Sequence, residues 1–267
     1  MQSVITKDVP GVPVTDVAIE AYHKCLAKVA RNDTKVTISY PERSSYILYS
    51  SYGAFLNTTE VIEKVIRTVR EGYDAVVICC YTDCGLQQLR EVLDIPVVGL
   101  AESSMAIATM LGRKFAIIAP VKEFIPVYEQ NLRVYGFENR TIQRQPIRPL
   151  NLPLDTSRFE QYMRYFTDPY SELIPQFESV AKSCVDDGAE VVIAGCGAIG
   201  PALTLADYAT VGETGCPVID PVSVAIKTAE LLVDLRSTTG LSKSTVLAYR
   251  PLPKEIMQMV RTIFNLE

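Results

Sequence analysis

Residues 74–80 read DAVVICC, and residues 189–196 read AEVVIAGC. Each is a short β-branched run of the kind that forms a buried strand, and each ends in a cysteine. A second strand pattern that begins Pro-Val follows in both places, DIPVVGL at 94–100 and GCPVIDP at 215–221. A helical pattern comes after each of them. The sequence therefore contains an internal repeat, which predicts a molecule of two similar halves.

Around this repeat, β-branched runs alternate with amphipathic helical patterns, which indicates an α/β fold with parallel sheets. We predict two similar α/β halves with parallel four-stranded sheets related by a pseudo-two-fold axis, and an active site in the cleft between them. The first half would comprise residues 1–99 and 219–267, and the second residues 100–218. The predicted strands are residues 35–39, 75–80, 96–99, 114–119, 190–194 and 217–219.

Two helices have clear end signals. Residues 57–72 begin with an Asn-x-x-Glu pattern, carry an apolar stripe and end at Gly72. Residues 171–188 have a similar stripe and end at Gly188. By contrast, residues 141–170 contain four prolines and no strong period, which predicts an irregular connection.

Composition excludes several classes of protein. The chain of 267 residues has a formal net charge of -5 and no long basic run, so we expect no nucleic-acid partner. Its apolar runs are too short for a bilayer, and its first residues lack the apolar run of a secretory signal. Seven cysteines without regular spacing favour reduced thiols, so we expect a cytoplasmic protein. His23 is the only histidine, which argues against histidine-based catalysis and against a metal site.

Cys80 and Cys196 are the candidate catalytic residues. Each follows a predicted strand, and open α/β sheets bind ligands at the carboxyl ends of their strands. A cysteine at such a place is commonly a small buried apolar residue, but a matched pair favours chemistry. Inverting a carbon stereocentre without a cofactor requires a base on one face and an acid on the other, and two thiols can provide both. Backbone N–H groups in the glycine-containing turns that follow would have to lower their pKa values from about 8.5.

Residues next to these cysteines are candidates for binding substrate: Tyr81, Thr82, Asp83, Gly195, Gly197 and, from the SSYILYSSYG segment, Tyr52. Asp83 has two equally acceptable roles, bonding to backbone in its turn or orienting substrate. The tyrosines at 46, 49 and 52 would line the cleft or pack. Cys79 should face away from Cys80 into packing, and Cys84 is more simply explained as structural filler in the same loop.

At these residues the sequence resembles the aspartate/glutamate racemase superfamily, most closely its hydantoin and allantoin racemase branch. VVICCYTDCG at 76–85 and IAGCGAIG at 193–200 are similar to the two cysteine motifs of that branch. PVVGLAESSM at 96–105 and TGLSKS at 239–244 also resemble it. The resemblance places Cys80 and Cys196 on the two catalytic positions.

Three departures from the branch concern groups around the thiols. The branch opens with an Asn-containing strand, whereas the corresponding ITKDVP at 5–10 has no asparagine. Cys84 occupies the position of a motif proline. Ala119 and Pro120 stand where the branch carries threonines that help to bind substrate. The thiols are kept while the substrate-anchoring groups change, which points to a different substrate or a different reaction.

The resemblance implies a cofactor-independent racemase or epimerase that moves a proton between two cysteines on a carbon acid such as a 5-substituted hydantoin or allantoin. Two alternatives within the superfamily use one cysteine on a dicarboxylate-like substrate: a lyase of the decarboxylase type, or a cis–trans isomerase. A catalytically inactive binding protein is a fourth hypothesis. We expect a small-molecule substrate, no cofactor, no metal, no membrane partner and a homo-oligomeric state.

Overall fold

The computed structural model describes residues 2–4, 8–9, 12–13, 16–45, 47–70, 72–155 and 157–266. Its strands are short, at two to five residues each. In chain order they are β1 (Gln2–Val4), β2 (Asp8–Val9), β3 (Val12–Pro13), β4 (Thr37–Ser39), β5 (Val76–Ile78), β6 (Val97–Gly99), β7 (Phe115–Ala119), β8 (Ile147–Pro149), β9 (Val191–Ala194) and β10 (Val218–Ile219).

Helices separate most of these strands, so that parallel neighbours are joined by helical crossovers. They are α1 (Asp16–Val29), α2 (Ser51–Val69), α3 (Leu86–Val92), α4 (Leu100–Leu111), α5 (Ile125–Tyr135), α6 (Ser157–Thr167), α7 (Leu173–Asp186), α8 (Ile199–Leu205), α9 (Pro221–Thr239) and α10 (Lys254–Ile263).

Two four-stranded sheets form the framework, and all their strand pairs are parallel. The first sheet has the order β4-β1-β5-β6, and the second has the order β8-β7-β9-β10. In each sheet the strand that precedes a candidate cysteine, β5 or β9, is an inner strand, and the Pro-Val strand, β6 or β10, is an edge strand. The predicted α/β class, parallel sheets and repeat are therefore confirmed.

Alternate residues of the first sheet face two different apolar clusters, as the pleat of a strand requires. Val76, Ile78 and Val97 pack with residues of α2 and α3. Val77 and Val98 belong to the main cluster, which runs through the second sheet and includes the buried face of α9. The core therefore extends from one half into the other.

Helices α4 and α9 pack against each other between the sheets. Helix α4 starts directly after β6, and α9 starts directly after β10, so these are the two places where the chain changes from one sheet to the other. All strands of the first sheet lie within residues 2–99, and all strands of the second within residues 115–219. The domain boundaries at 99/100 and 218/219 stay predictions.

The sequence interpretation was wrong in two segments. Residues 141–170 contain β8 and the helix α6, because prolines occur at the strand edge and in the loop but not within residues 157–167. Helix α2 begins at Ser51 instead of Asn57, with Ser50 as its N-cap. Asn57 lies inside the helix, and its amide bonds to the Ser45 segment. The helix expected over 171–188 is confirmed as α7.

Candidate active site

Cys80 and Cys196 occupy equivalent places in the two sheets. Cys80 lies two residues beyond the last residue of β5, and Cys196 lies two residues beyond the last residue of β9. Both are free, partly exposed thiols, and each opens a loop that leads into a short helix, α3 or α8. The two thiols therefore have the same relation to their parallel strands, at the edge where such sheets bind ligands.

The two cysteine loops touch each other. A Cβ atom on Gly197 would lie 3.0 Å from the carbonyl oxygen of Cys79, and one on Gly195 would lie 2.7 Å from Cγ2 of Ile117. Neither glycine has a positive φ, so they are required for space and not for an unusual backbone conformation. The sequence suggested glycines that allow tight turns. Instead, Gly197 lets its loop approach the Cys80 loop closely, and Gly195 lets the chain pack closely on β7 within its own half.

The backbone carbonyl groups on either side of Cys196 each accept a hydrogen bond from a tyrosine hydroxyl. The hydroxyl of Tyr128 donates to the carbonyl oxygen of Gly195 at 2.5 Å, and that of Tyr22 donates to the carbonyl oxygen of Gly197. The ring of Tyr128 also packs edge-on against Tyr81, with centroids 4.9 Å apart. Burial raises the pKa of Tyr128, and negative charge on either Cys196 or Cys80 raises it further. Both thiols therefore lie within electrostatic reach of one hydroxyl.

The environment of Cys80 favours its thiolate. Its sulfur lies 3.0 Å from Oγ1 of Thr82. The pKa of Cys80 is lowered to about 7, first because the thiol of Cys84 donates a hydrogen bond to it and then because the hydroxyl and N–H of Thr82 do the same. Burial and the charge of Asp83 act in the opposite direction. The same contact raises the pKa of Cys84, which keeps its proton.

The environment of Cys196 favours its thiol. Burial is the largest influence and raises its pKa, and the charge on Cys80 raises it further. The backbone N–H of Ala198 lies 3.4 Å from the sulfur, and the hydroxyl of Tyr162 lies 3.8 Å from it. These contacts, with the N–H of Ile199, lower the pKa but do not outweigh burial. Cys80 is therefore the more acidic thiol of the pair, and Cys196 is the thiol that keeps its proton to higher pH.

Asp83 connects the Cys80 loop to helix α4. Its two carboxylate oxygens accept hydrogen bonds from the backbone N–H groups of Ala101 and Glu102, each at 2.9 Å. The hydroxyl of Tyr135 donates to the same carboxylate at 2.9 Å. Burial raises the pKa of Asp83 to about 6 in spite of these bonds. Asp83 was predicted either to bond to backbone or to orient substrate, and these contacts support bonding to backbone.

The other predicted residues divide into two groups. Tyr81, Thr82, Asp83, Gly195 and Gly197 all belong to the two touching loops, although Tyr81 is only 2% exposed and packs inside the core. Tyr52 is 74% exposed in the first turn of α2, apart from these buried contacts. Tyr49 packs edge-on against Phe124. Position 46, and positions 5–7 and 10 of the altered N-terminal motif, lie outside the described residues.

Sequence reasoning missed the tyrosines that surround Cys196. Tyr22, Tyr128 and Tyr162 come from α1, α5 and α6, each far from the cysteine in sequence. One signal was available: residues 157–167 read SRFEQYMRYFT, with aromatic residues three apart on one helical face. The prolines on either side of that stretch concealed it.

A cavity of about 530 Å³ lies behind the Cys80 loop rather than at the thiols. Arg90, Glu102, Tyr135 and Tyr249 are among its lining residues, and no cysteine is. Arg90 and Glu102 already pair with each other across it. The two candidate cysteines are therefore not part of this cavity.

In the described part of the chain, no group of three or more His, Cys, Asp or Glu side chains is arranged to hold a metal ion. Among those same residues, no helix is long and apolar enough to cross a membrane.

Comparison with known proteins gives the family of the chain. Residues 14–229 match the sequence model of the Asp/Glu/hydantoin racemase family. The chain belongs to this family. It is 32% identical over 217 residues to a hydantoin racemase of Pseudomonas sp. (strain NS671), a match that covers 80% of each chain. It is 31% identical over 219 residues to a hydantoin racemase of Paenarthrobacter aurescens, covering 81% of this chain and 86% of that one.

The fold of this family is also seen among solved structures. The allantoin racemase from Klebsiella pneumoniae superimposes with a TM-score of 0.76, at 24% identity, over 95% of this chain and 94% of that one. This likeness confirms the fold. Family membership makes the protein an enzyme of the racemase type, an isomerase.

Proposed function

We propose that the protein is a cofactor-independent racemase that inverts a carbon acid, such as a 5-substituted hydantoin or allantoin, by proton transfer between Cys80 and Cys196. The observation that carries this proposal is the pair of thiols on equivalent, touching loops, in which the pKa of Cys80 is lowered and that of Cys196 is raised. The substrate class is taken from the relatives named hydantoin racemase.

In one direction, the Cys80 thiolate removes the proton next to the substrate's carbonyl group from one face. The electron pair left on carbon delocalises into that carbonyl, and the Cys196 thiol delivers its proton to the opposite face. The enzyme is then left with a Cys80 thiol and a Cys196 thiolate, which is the form that accepts the other enantiomer. No external acid, base or cofactor is consumed, because one proton enters and one leaves.

The pH dependence follows from the shared proton. Both directions use the same singly deprotonated pair, so kcat/KM for the two enantiomers should have the same profile. The ascending limb should lie near pH 7, where Cys80 loses its proton. The descending limb should lie at alkaline pH, because the pKa of Cys196 is raised and both thiols are ionised only there.

The test is solvent-deuterium exchange followed by NMR, with 5-substituted hydantoins, allantoin, amino acids and substituted malonates as candidate substrates. We expect the wild type to incorporate deuterium at the stereocentre while it inverts it. Cys80→Ser and Cys196→Ser should each abolish inversion, because a serine hydroxyl is too weak an acid to replace a thiol. Each variant should retain exchange into one enantiomer only, and the two variants should prefer opposite enantiomers.

Cys79→Ser is the matched control, because it changes a thiol next to the reacting one and should leave substantial turnover. If either Cys80 or Cys196 proves dispensable for inversion, the two-base mechanism is wrong. Release of carbon dioxide from a malonate, with only one of the two cysteines required, would establish the lyase alternative instead. The homo-oligomeric state stays a prediction.

A further inference from the structure

Tyr162 is the described side chain whose hydroxyl is hydrogen bonded to the sulfur of Cys196, at 3.8 Å. It lies in α6, which packs against α1 and α8, so a separate element brings it to the cysteine loop. Its ring is held edge-on between Phe159 and Tyr165, at centroid distances of 6.2 and 6.3 Å. The hydroxyl of Tyr165 is itself fixed by Gln176 at 2.9 Å. The position of the Tyr162 hydroxyl is therefore set by a row of packed rings.

The Tyr162 hydroxyl keeps its proton over the working pH range. Burial raises its pKa well above the ordinary value, and a charge on Cys196 raises it further. A phenol in this condition is a hydrogen-bond donor and not a base. While Cys196 is protonated, its thiol donates to the phenol oxygen. Once the sulfur is a thiolate it can only accept, so the phenol must then donate to it.

The other described groups near Cys196 do not donate a side-chain hydrogen bond to its sulfur. Tyr22 and Tyr128 donate to the carbonyl oxygens of Gly197 and Gly195, so their protons are directed away from the sulfur. Tyr165 and Cys80 act on the site through charge rather than through a bond to this sulfur. The N–H groups of Ala198 and Ile199 are the backbone donors to this sulfur. Tyr162 therefore supplies the side-chain donor.

Cys80 has a matching donor. The hydroxyl of Thr82 lies 3.0 Å from its sulfur, within the same loop. Each reacting sulfur is thus paired with one hydroxyl, although Thr82 comes from the cysteine loop itself and Tyr162 comes from a distant helix. A symmetric reaction needs both sulfurs to be stabilised as thiolates in turn, and the two hydroxyl groups meet that need.

We propose that Tyr162 is a third catalytic residue, whose hydroxyl stabilises the Cys196 thiolate formed when Cys196 gives its proton to the substrate carbon. This proposal rests on the proposed racemase function. In that step the S–H bond of Cys196 breaks and a C–H bond forms, while the sulfur keeps the electron pair. The O–H bond of Tyr162 stays intact throughout. In the reverse direction the same hydrogen bond holds Cys196 ready as the base.

The first experiment needs no substrate. In the Cys80→Ser background, the rate at which iodoacetamide alkylates Cys196 is followed against pH by mass spectrometry, with and without Tyr162→Phe. We expect the phenylalanine change to move the midpoint of alkylation upward by about one pH unit, the effect of losing one hydrogen bond to a charged group. At a pH below both midpoints, alkylation should be about tenfold slower. An unchanged midpoint would show that Tyr162 only packs there.

The second experiment uses a confirmed substrate. Tyr162→Phe should lower kcat/KM about tenfold and equally for both enantiomers, because the equilibrium constant between them is one and fixes the two values to be equal. The carbanion should be reprotonated more often by Cys80, because proton donation by Cys196 is slowed. Deuterium exchange without inversion should therefore rise for the enantiomer whose proton Cys80 removes and fall for the other. Wild-type kcat/KM in this variant would overturn the catalytic role.

Tyr208→Phe is the matched control. It removes the hydroxyl of another partly buried tyrosine and its hydrogen bond to Glu178, at 3.4 Å, which does not involve the sulfur of Cys196. It should leave both the alkylation midpoint and the ratio of exchange to inversion unchanged. If the Tyr162 change shifts the midpoint but no tested carbon acid is racemised, the proposed function fails while the Tyr162–Cys196 contact stands.

Discussion

In the Cys80 loop, Cys84 occupies the position at which the motif of the hydantoin racemase branch has a proline. Its hydrogen bond is the largest influence that lowers the pKa of Cys80. A proline ring at the same position has no donor to offer. This chain therefore lowers the pKa of Cys80, the proposed base, with a group that the motif does not supply.

Cys84→Ala should move the ascending limb of the kcat/KM profile from about pH 7 towards pH 8–9, the range of an unassisted thiol. The sign follows from the bond: without the donor the thiolate is less stable, so Cys80 keeps its proton to higher pH. At pH 6.5 we expect kcat/KM to fall about tenfold or more, with recovery by pH 9. Stopped assays across this range measure it.

Two variants test the cause of that shift. Cys84→Ser keeps an O–H donor and should shift the limb less than alanine does. Cys216→Ala removes a buried thiol far from the site and should leave the limb at about pH 7. An alanine variant at position 84 whose limb stays near pH 7 would contradict the assignment of the donor.

Sequence reasoning found both cysteines because each ends a repeated strand pattern, and pattern is a local property. It could not find Tyr162, because that contact joins positions 162 and 196 through a helix packed from elsewhere. It also could not separate the two roles of Asp83, because the deciding donors belong to a helix that starts at residue 100. Contacts between distant segments decided these roles.

At the scale of elements, Asp83 ties the loop after β5 to the first turn of α4, and Asp220 has a related role at α9. Asp220 is the N-cap of α9 and accepts a hydrogen bond from the N–H of Val222 at 2.9 Å. Both helices that cross between the sheets therefore begin on a buried carboxylate. These carboxylates satisfy N–H groups that a helix start leaves without partners.

Asp83→Ala should lower the free energy of unfolding by about 1–3 kcal/mol at pH 7, because two N–H groups and one O–H group lose their acceptor. The loss should be larger at pH 5. Burial raises the pKa of Asp83 to about 6, so the folded protein holds this proton more tightly than the unfolded chain. The wild-type carboxyl therefore contributes more stability below pH 6, and that contribution falls as pH rises from about 4 to about 6.

Denaturant unfolding at the two pH values measures both effects. Asp94→Ala is the control, because Asp94 is exposed, and it should change the stability by no more than about 0.5 kcal/mol. Equal losses for the two variants would show that the carboxylate of Asp83 does not hold α4 in place.

The elements that sequence predicted well are those with a buried, continuous apolar run, such as β7 and β9. The elements it missed include the three-residue strands β1 and β8, an inner and an edge strand, and the helix α6, whose polar residues and flanking prolines hide its period. Helix α2 was placed six residues late because Asn57 resembles a cap. Its amide instead bonds to residues outside the helix, which local pattern cannot reveal.

At the scale of the whole molecule, the repeat predicted two similar halves, and the two sheets have the same strand order. The packing of α4 against α9 was not predicted, because both look like ordinary amphipathic helices in sequence. Their mutual packing brings the two cysteine loops together. The pseudo-two-fold axis is consistent with the equal strand orders and stays a prediction in its detail.

Two shortened chains test how the halves depend on each other. A chain that ends at residue 220 lacks α9, whose buried residues include Val222, Ala225 and Ile226, and it should not form the first sheet cooperatively. A chain that ends at residue 253 lacks only α10, where Arg261 pairs with Glu63 and most apolar side chains are exposed. It should keep one cooperative transition and lose about 1–3 kcal/mol. Far-UV circular dichroism during denaturant unfolding distinguishes the two.

A chain ending at residue 220 that unfolds with the wild-type midpoint would show that the first half is independent of α9. In that case the predicted return of residues 219–267 to the first half would also be wrong.

The late position of α9 has a consequence for biosynthesis. A ribosome that has translated residue 99 has made every strand of the first sheet, but the helix that covers Val77 and Val98 comes only after residue 220. At about 5–20 residues per second, that interval lasts on the order of ten seconds. During this interval the ribosome synthesises all the strands of the second sheet and the helices α5, α7 and α8. The later half of the nascent chain can therefore fold first, while the earlier half presents an apolar face to chaperones until α9 emerges.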